Sequence, residues 1–341
     1  MTIKQLSEMA GVSRGTIDRV INNRPGVSDE TRQKVLRLIA ETSYKPNKLG
    51  KQLAITKKNL FIGVLFHGYA EDSPYFGQVM AAMEQRLESL DEYGIKYVIG
   101  NTKMDRPQDI IAKLDEFIKM GINGLILSAI NTPEIIKKID ELHSLNIPVI
   151  TFSTDLPESK RLAYVGSNSY KFGAIAGNLM GLFTDGKADV GIVAGSEYSY
   201  NHQQRIAGFT DYLLSNFPKS SILTTYMNYD REKESYECVS DMLSKYKLNS
   251  IFFAAGGVRG GCQAIKDLGY AHKIKVVCFD LYQHNINMVT DKVITAAIGQ
   301  QPEYQVQVAV DILVDYLGMN NAPVIQRYFS EPEIRVRANF I

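Results

Sequence analysis

From residue 60 onward the chain alternates short apolar runs with longer stretches whose apolar positions recur every three or four residues. Residues 60–66 form a continuous apolar run that fits a strand covered on both faces, and comparable segments recur at 95–99, 124–127, 148–152, 190–193, 250–253 and 275–279. Helical patterns lie between them at 77–90, 107–120, 133–145, 172–183 and 204–216. Strands alternating with helices predict parallel sheets clad on both faces. Six or more such units in about 280 residues suggest two doubly wound lobes; a barrel would need eight uniform repeats.

The first sixty residues carry only the helical period. Thr2 and Gln5 are spaced as a capping box, and Ile3, Leu6 and Ala10 make one apolar side of a short helix. Gly11 breaks the chain, and Ser13 caps a second helix from Arg14 to about Ile21. Val12, Ile17, Val20 and Ile21 point to a small core, leaving Arg14, Gly15, Asp18, Arg19 and Asn22 toward solvent. Ser28 caps a third helix with Asp29 and Glu30 in its first turn and Val35, Leu38 and Ile39 on its apolar stripe. A tight turn between the first two helices makes a helix-turn-helix, whose second helix can enter a major groove. Arg14 is placed to bond two guanine acceptors at once, while Ser13, Thr16 and nearby backbone N–H groups suit phosphates. A small helical protein-interaction module is the competing reading.

Charge supports the nucleic-acid reading once it is divided along the chain. Residues 1–60 carry 12 Lys and Arg against 5 Asp and Glu, whereas the remainder carries 26 against 32. A basic module on a mildly acidic body is expected if one end meets a polyanion, although a solubilised terminus would look similar. The apolar fraction of 45% and charged fraction of 22% are those of a globular protein. Cys238, Cys262 and Cys278 form no CxxC pair and fit free thiols in a reducing compartment. The start lacks a secretion signal and no stretch approaches about 18 apolar residues, so a cytoplasmic location off the membrane is expected. The cluster from Gly256 to Gly261 lacks GxGxxG and a phosphate-loop lysine and suits a tight turn. HExxH does not occur and no serine lies in a GxSxG elbow between a strand and a helix (the string Gly11-Val12-Ser13-Arg14-Gly15 falls between two helical patterns), so neither an enzyme nor a metal or other cofactor is expected.

After the third helix, Tyr44-Lys45-Pro46-Asn47 leads into a basic linker in which Asn47 can cap a very short helix reaching Leu53. A buried leucine is the ordinary role for Leu53, but an apolar wedge into a minor groove would account for its exposure. A short helix containing Gly50 is marginal in water, so the segment is expected to gain order on DNA. The chain from Thr2 to Asn47 resembles the DNA-binding end of the lactose-repressor (LacI/GalR) family: AGVS at 10–13, TIDRVIN at 16–22, VSDETR at 27–32 and YKPN at 44–47 follow in family order and spacing. The resemblance implies base or phosphate roles for Ser13, Arg14, Thr16, Arg19 and Asn22, and minor-groove insertion of Leu53 beside Asn47 and Lys51. Two departures stand out. Asp18 occupies a recognition-helix position where serine is usual, and Gly50-Lys51 replaces the usual Ala-Arg of the hinge.

In open parallel sheets ligands sit at the carboxyl ends of strands, which directs attention to His67 to Phe76, Ser128, Ser153 to Asp155, 194–202, 255–260, 280–282 and 300–304. Their polar and aromatic mixture suits a sugar-like molecule. This half resembles the periplasmic sugar-binding fold that forms the effector domain of the same repressor family. Asn201-His202-Gln203-Gln204-Arg205, Val276 to Asp280 and Gly299-Gln300-Gln301-Pro302 match its motif segments, implying Arg205 and Asp280 as opposite-sign effector anchors with Gln300. A structural interlobe ion pair is the alternative for those two. Ser153 replaces an aspartate frequent in pentose-binding relatives, with Asp155 two places on, so a modified substrate class is expected. The expected effector set is therefore Tyr75, Phe76, Ser128, Asp155, Arg205, Asp280 and Gln300.

The expected architecture is a small all-α helix-turn-helix headpiece (1–46), a hinge helix and linker (47–58), and an α/β effector and dimerisation domain (59–341). That domain divides into two doubly wound parallel-sheet lobes of the periplasmic binding protein type I kind, about 59–163 with 292–322 and about 164–291 with 323–341. The expected function is a homodimeric repressor reading an inverted-repeat operator in double-stranded DNA, its affinity set by a small sugar or sugar derivative. A ligand-independent dimeric repressor and a cytoplasmic sugar-modifying enzyme are the alternatives.

Overall fold

Capping and apolar spacing produce the headpiece in a computed structural model, which describes residues 3–21, 26–42, 56, 58–67, 74–102, 106–197, 199–319, 322–323 and 325–341. Helices α1 (Ile3–Ala10), α2 (Arg14–Ile21) and α3 (Asp29–Thr42) enclose Leu6, Ala10, Ile17, Val20 and Val35, all buried. Gly11 makes the turn at φ 67°, a left-handed angle that costs glycine little. The Ser13 Oγ accepts the Thr16 amide at 3.0 Å and the Ser28 Oγ that of Thr31 at 3.3 Å, satisfying amides that helix starts leave orphaned. Of the expected hinge, Asn47, Gly50, Lys51 and Leu53 lie outside the described residues, as does Asn22.

The body is built on two six-stranded sheets. The first takes β1 (Phe61–Phe66), β2 (Lys96–Asn101), β3 (Gly124–Leu127), β4 (Val149–Phe152), β5 (Ala163–Ser167) and β11 (Arg327–Ser330), in the order β11-β5-β4-β3-β1-β2 and parallel throughout. The second takes β6 (Asp189–Ala194), β7 (Ser221–Met227), β8 (Ser250–Phe253), β9 (Lys275–Phe279), β10 (Ala296–Gly299) and β12 (Glu333–Arg335), in the order β12-β10-β9-β8-β6-β7. Only the β10–β12 pair in that sheet is antiparallel. Each sheet has an apolar cluster on each face, the continuous Val, Ile, Leu and Phe runs of a sheet buried on both sides.

The chain passes between the sheets three times, after β5, after β10 and between β11 and β12. These crossings differ from the expected lobe limits. β5 runs to Ser167 in the first sheet, β10 belongs to the second, and β11 adds to the first. The cause is local: β5 and β10 are short and interrupted by glycine or built on alanine, and β11 is a partly exposed edge strand, so none gives a strong apolar run.

After the first crossing, α7 (Ser169–Phe183) packs closely on α8 (Tyr200–Asn216). Gly173 lies against the Arg205 backbone and Gly177 against that of Phe209, so the two helices run parallel with both amino termini at the first lobe. A Cβ on Gly208 would stand 2.0 Å from the Tyr170 carbonyl oxygen, closer than any helix pair can accept. Gly208→Ala should therefore cost about 1–3 kcal/mol by forcing these backbones apart. Urea denaturation of both proteins measures it, and equal midpoints would show that the contact constrains nothing.

Candidate functional site

Strand ends from the two lobes converge where the parallel sheets present their carboxyl termini. In the second lobe Arg205 projects from α8 and is 5% exposed. Its Nη1 donates to the Ala254 carbonyl at 3.0 Å and its Nη2 to the Gln300 Oε1 at 2.5 Å. The guanidinium lies 4.1 Å from the centroid of the Phe279 ring, a cation–π contact in a desolvated setting. Gln300 relays this contact onward: its Oε1 also accepts the Ser167 hydroxyl at 3.0 Å, and its Nε2 donates to the Asp280 carboxylate at 2.6 Å. Arg205, Gln300 and Asp280 thus form one hydrogen-bonded chain, the amide linking opposite charges rather than the charges pairing directly.

The first lobe contributes Tyr75, whose hydroxyl lies 3.1 Å from the Ser153 Oγ. Ser153 and Asp280 end corresponding strands, β4 and β9, and both adopt the left-handed region at φ 61° and 71°. A non-glycine residue pays roughly 1–2 kcal/mol there, so the surrounding backbone must hold each turn. It does: the Ser153 amide donates to Val165 and the Asp280 amide to Ile298, both at 2.9 Å. The Ser153 carbonyl also accepts the Tyr164 hydroxyl at 2.9 Å and the Asn201 side-chain amide, the latter joining the two lobes.

Burial governs the electrostatics. It raises the Tyr75 hydroxyl to about 12, against an opposing hydrogen bond from Ser153. The Asp280 carboxyl is pushed above its ordinary range, first by desolvation and further by Asp230, with Arg205 and the Gln300 hydrogen bond opposing. Arg205 is lowered by the same burial, opposed by Asp280, Tyr75, Tyr164 and Asp230.

The remaining expected residues fall in different places. Phe76 makes edge contacts with Tyr75 and Phe66 at ring separations of 5.5 and 6.1 Å and helps close the first core. The Ser128 hydroxyl lies 3.4 Å from the His67 Nδ1. Asp155 does not enter the Arg205 chain. It is buried, and Arg161 holds both its oxygens, at 2.7 Å and 3.1 Å, because a carboxylate removed from water needs a counterion. Sequence reasoning missed Asn228 and Asp230. Asn228 is buried and ties the Gly256 carbonyl to the Asp230 amide, while the Asp230 carboxylate accepts the Gly256 amide at 2.6 Å. Gly195 admits this loop: a Cβ there would lie 2.5 Å from the His202 Nδ1 and 2.6 Å from the Asp230 Oδ2. The alternation of Ser221–Met227 was the signal that could have placed Asp230 at a strand end.

The headpiece carries a second candidate surface. Arg14 and Arg19 are exposed on α2, and the Ser13 and Thr16 hydroxyls are 2.9 Å apart at its start. The side chain of Asp18 lies outside the described residues. No helix among the described residues is long and apolar enough to cross a membrane.

Two families match. Residues 2–47 match bacterial regulatory proteins of the lacI family, and residues 62–321 match the periplasmic binding protein domain. The HTH-type transcriptional repressor PurR of Pasteurella multocida is 27% identical over 285 residues, covering 82% of this chain and 81% of its own. The lactose operon repressor of Escherichia coli is 29% identical over 220 residues, 63% of this chain and 57% of that protein. Among solved structures, GanP, a glucose-galactose binding protein from Geobacillus stearothermophilus, superposes with a TM-score of 0.75 at 22% identity, covering 82% of this chain and 99% of its own. A solute-binding protein from Burkholderia graminis in complex with D-arabinose gives a TM-score of 0.75 at 21% identity, covering 83% and 96%. These two likenesses establish the fold.

The raised Asp280 has a pH consequence. Its folded-state proton is held more tightly than in the unfolded chain, so its contribution to stability is fully present below the unfolded value of about 3.9 and is lost as pH rises through the raised folded value. Asp280→Asn removes that loss. Its stability relative to the parent should therefore rise with pH across the acid range in denaturation at matched ionic strength. A constant difference between the two would refute the assignment.

Proposed function

The chain belongs to the lacI family of bacterial regulatory proteins and carries a periplasmic binding protein domain, and from that premise we propose that it is a repressor controlled by a small sugar or sugar derivative bound between its lobes. It is a sequence-specific DNA-binding transcription regulator with a sugar-binding-like effector domain, and not an enzyme. The observation that carries the effector reading is the hydrogen-bonded chain from Arg205 through Gln300 to Asp280, set at the strand ends facing Tyr75. A guanidinium and a carboxylate presented together can donate to and accept from neighbouring hydroxyls of one polyol, and the Phe279 ring holds the guanidinium in place. Ser128 extends this wall from β3, and Phe76 stiffens Tyr75 from behind.

On DNA, Arg14 reads base edges and Arg19 reaches phosphate, with Ser13 and Thr16 setting the helix start against the backbone. Asn22, Asn47, Lys51 and Leu53 complete the contact surface. The protein acts as a homodimer, its two-fold axis matching an inverted repeat, and works in the cytoplasm. Effector binding changes how the lobes meet, and thus the spacing of the two headpieces. A coupling of about 1–3 kcal/mol would change operator affinity roughly 5–150-fold.

Two measurements test these roles. With an operator selected from random duplexes, Arg14→Ala should lose about 1–3 kcal/mol of discrimination at one base pair per half-site. A uniform loss across all sequences would reassign Arg14 to phosphate. With a sugar found by thermal shift, Arg205→Ala should lose calorimetric binding while its DNA affinity without ligand persists. Unchanged sugar affinity would remove Arg205 from the site.

A further inference from the structure

A second pocket opens beside the first interlobe crossing, walled by Asp155, Asn168, Ser169, Tyr200, Gln204 and Arg327. Its volume is about 130 Å³, smaller than the roughly 300–1,000 Å³ of sites that enclose a drug-sized molecule, and so on the scale of a single small ion or group. Three features bear on what it could hold. The parallel packing of α7 and α8 brings two helix amino termini to this wall, Asn168 and Ser169 from one and Tyr200 from the other. Each terminus acts as a partial positive charge of about half a unit. Asp155, the carboxylate in the wall, is already paired with the buried Arg161 at 2.7 Å, behind the wall, while Arg327 in the wall lies 3.5 Å from it. Arg327 is about half exposed, its side chain at 53%, and so has donors to offer. Finally, Ser169 is 7% exposed and its buried Oγ has no hydrogen-bond partner in the structure. A buried hydroxyl without a partner costs free energy unless something supplies one.

We infer that this pocket binds a phosphate-class oxyanion, either free phosphate or the phosphoryl group of a small metabolite. The anion would accept from Arg327, from Ser169 and from first-turn amides of both helices, the arrangement that favours phosphate at helix amino termini. The site is separate from the Arg205 cleft and does not depend on the effector reading.

The test uses the full chain with inorganic phosphate, glucose 6-phosphate and glucose as probes, titrated calorimetrically at constant ionic strength with chloride as the balancing ion. Saturable binding of phosphate or glucose 6-phosphate is expected, and Arg327→Gln should weaken it roughly 10–100-fold, the worth of one hydrogen bond to a charged group. Ser169→Ala should weaken it less, and Arg327→Lys should retain part of it, which guards against misfolding as the cause. Glucose 6-phosphate binding more tightly than phosphate identifies a metabolite, and equal affinities identify the free ion. Arg205→Ala should keep the phosphate response. No saturable binding of either anion, equal affinity in Arg327→Gln, or loss of the response in Arg205→Ala would each overturn the proposal.

Discussion

Burying the Arg205 guanidinium strips hydration that its surroundings must replace, and every group that does so is fixed by the second sheet or by a crossing strand. Ala254 follows β8, Phe279 ends β9 and Gln300 follows β10, while Ser167, ending β5 in the other lobe, reaches the guanidinium only through Gln300. A charge buried without such partners would cost several kcal/mol or more. The requirement therefore ties the ends of three strands, and one chain crossing, to a single side chain. Moving β8, β9 or β10 alone costs the guanidinium a hydrogen bond or its ring contact, so these strands are expected to shift together.

The glycines of α7 and α8 serve the same end. Gly173 lets one helix ride directly on the Arg205 backbone, and Gly208 accepts the Tyr170 carbonyl in return. That contact fixes the depth at which Arg205 enters the cleft and sets the two helix amino termini side by side. Farther along, the run from Gly256 to Gly261 serves a helix cap and a close packing contact. Gly257 caps the helix Val258–Asp267 at φ 72°, and Gly260 clears the Glu232 carbonyl, which a Cβ would approach to 1.8 Å. Close helix packing, rather than nucleotide binding, accounts for its composition.

What the chain reveals before folding follows from how local each signal is. The headpiece was legible because its caps, turn and apolar stripe all lie within about forty residues, and the serines predicted as caps do cap. Arg205, Gln300 and Asp280 could be named from motif segments, but the amide linking them could not, since the bond between 205 and 300 depends on tertiary closure. Asp155 stands apart from that chain. Its position two residues beyond Ser153 suggested the cleft, yet the left-handed turn at Ser153 and the buried Arg161 carry it to another wall. β5, β7 and β10 escaped for lack of a long apolar run, and with β7 went Asp230.

The Ser153 carbonyl connects the cleft to the walls of the pocket beside Arg327. It accepts Tyr164 from the crossing strand and Asn201 from the first turn of α8, while the Ser153 hydroxyl faces Tyr75 in the cleft. Tyr164 and Asn201 also line the pocket beside Arg327. Any ligand that draws the α8 terminus toward or away from the first lobe must stretch or relax the Asn201 bond, and with it the setting of Ser153 against Tyr75. A molecule acts on this balance only through a difference in affinity between the two lobe arrangements. Whatever coupling results is reciprocal: an anion that favours the joined lobes would favour the cleft ligand by the same factor, and the cleft ligand would favour the anion. Such a coupling would pass through the one hydrogen-bonded carbonyl of Ser153 at its strand end.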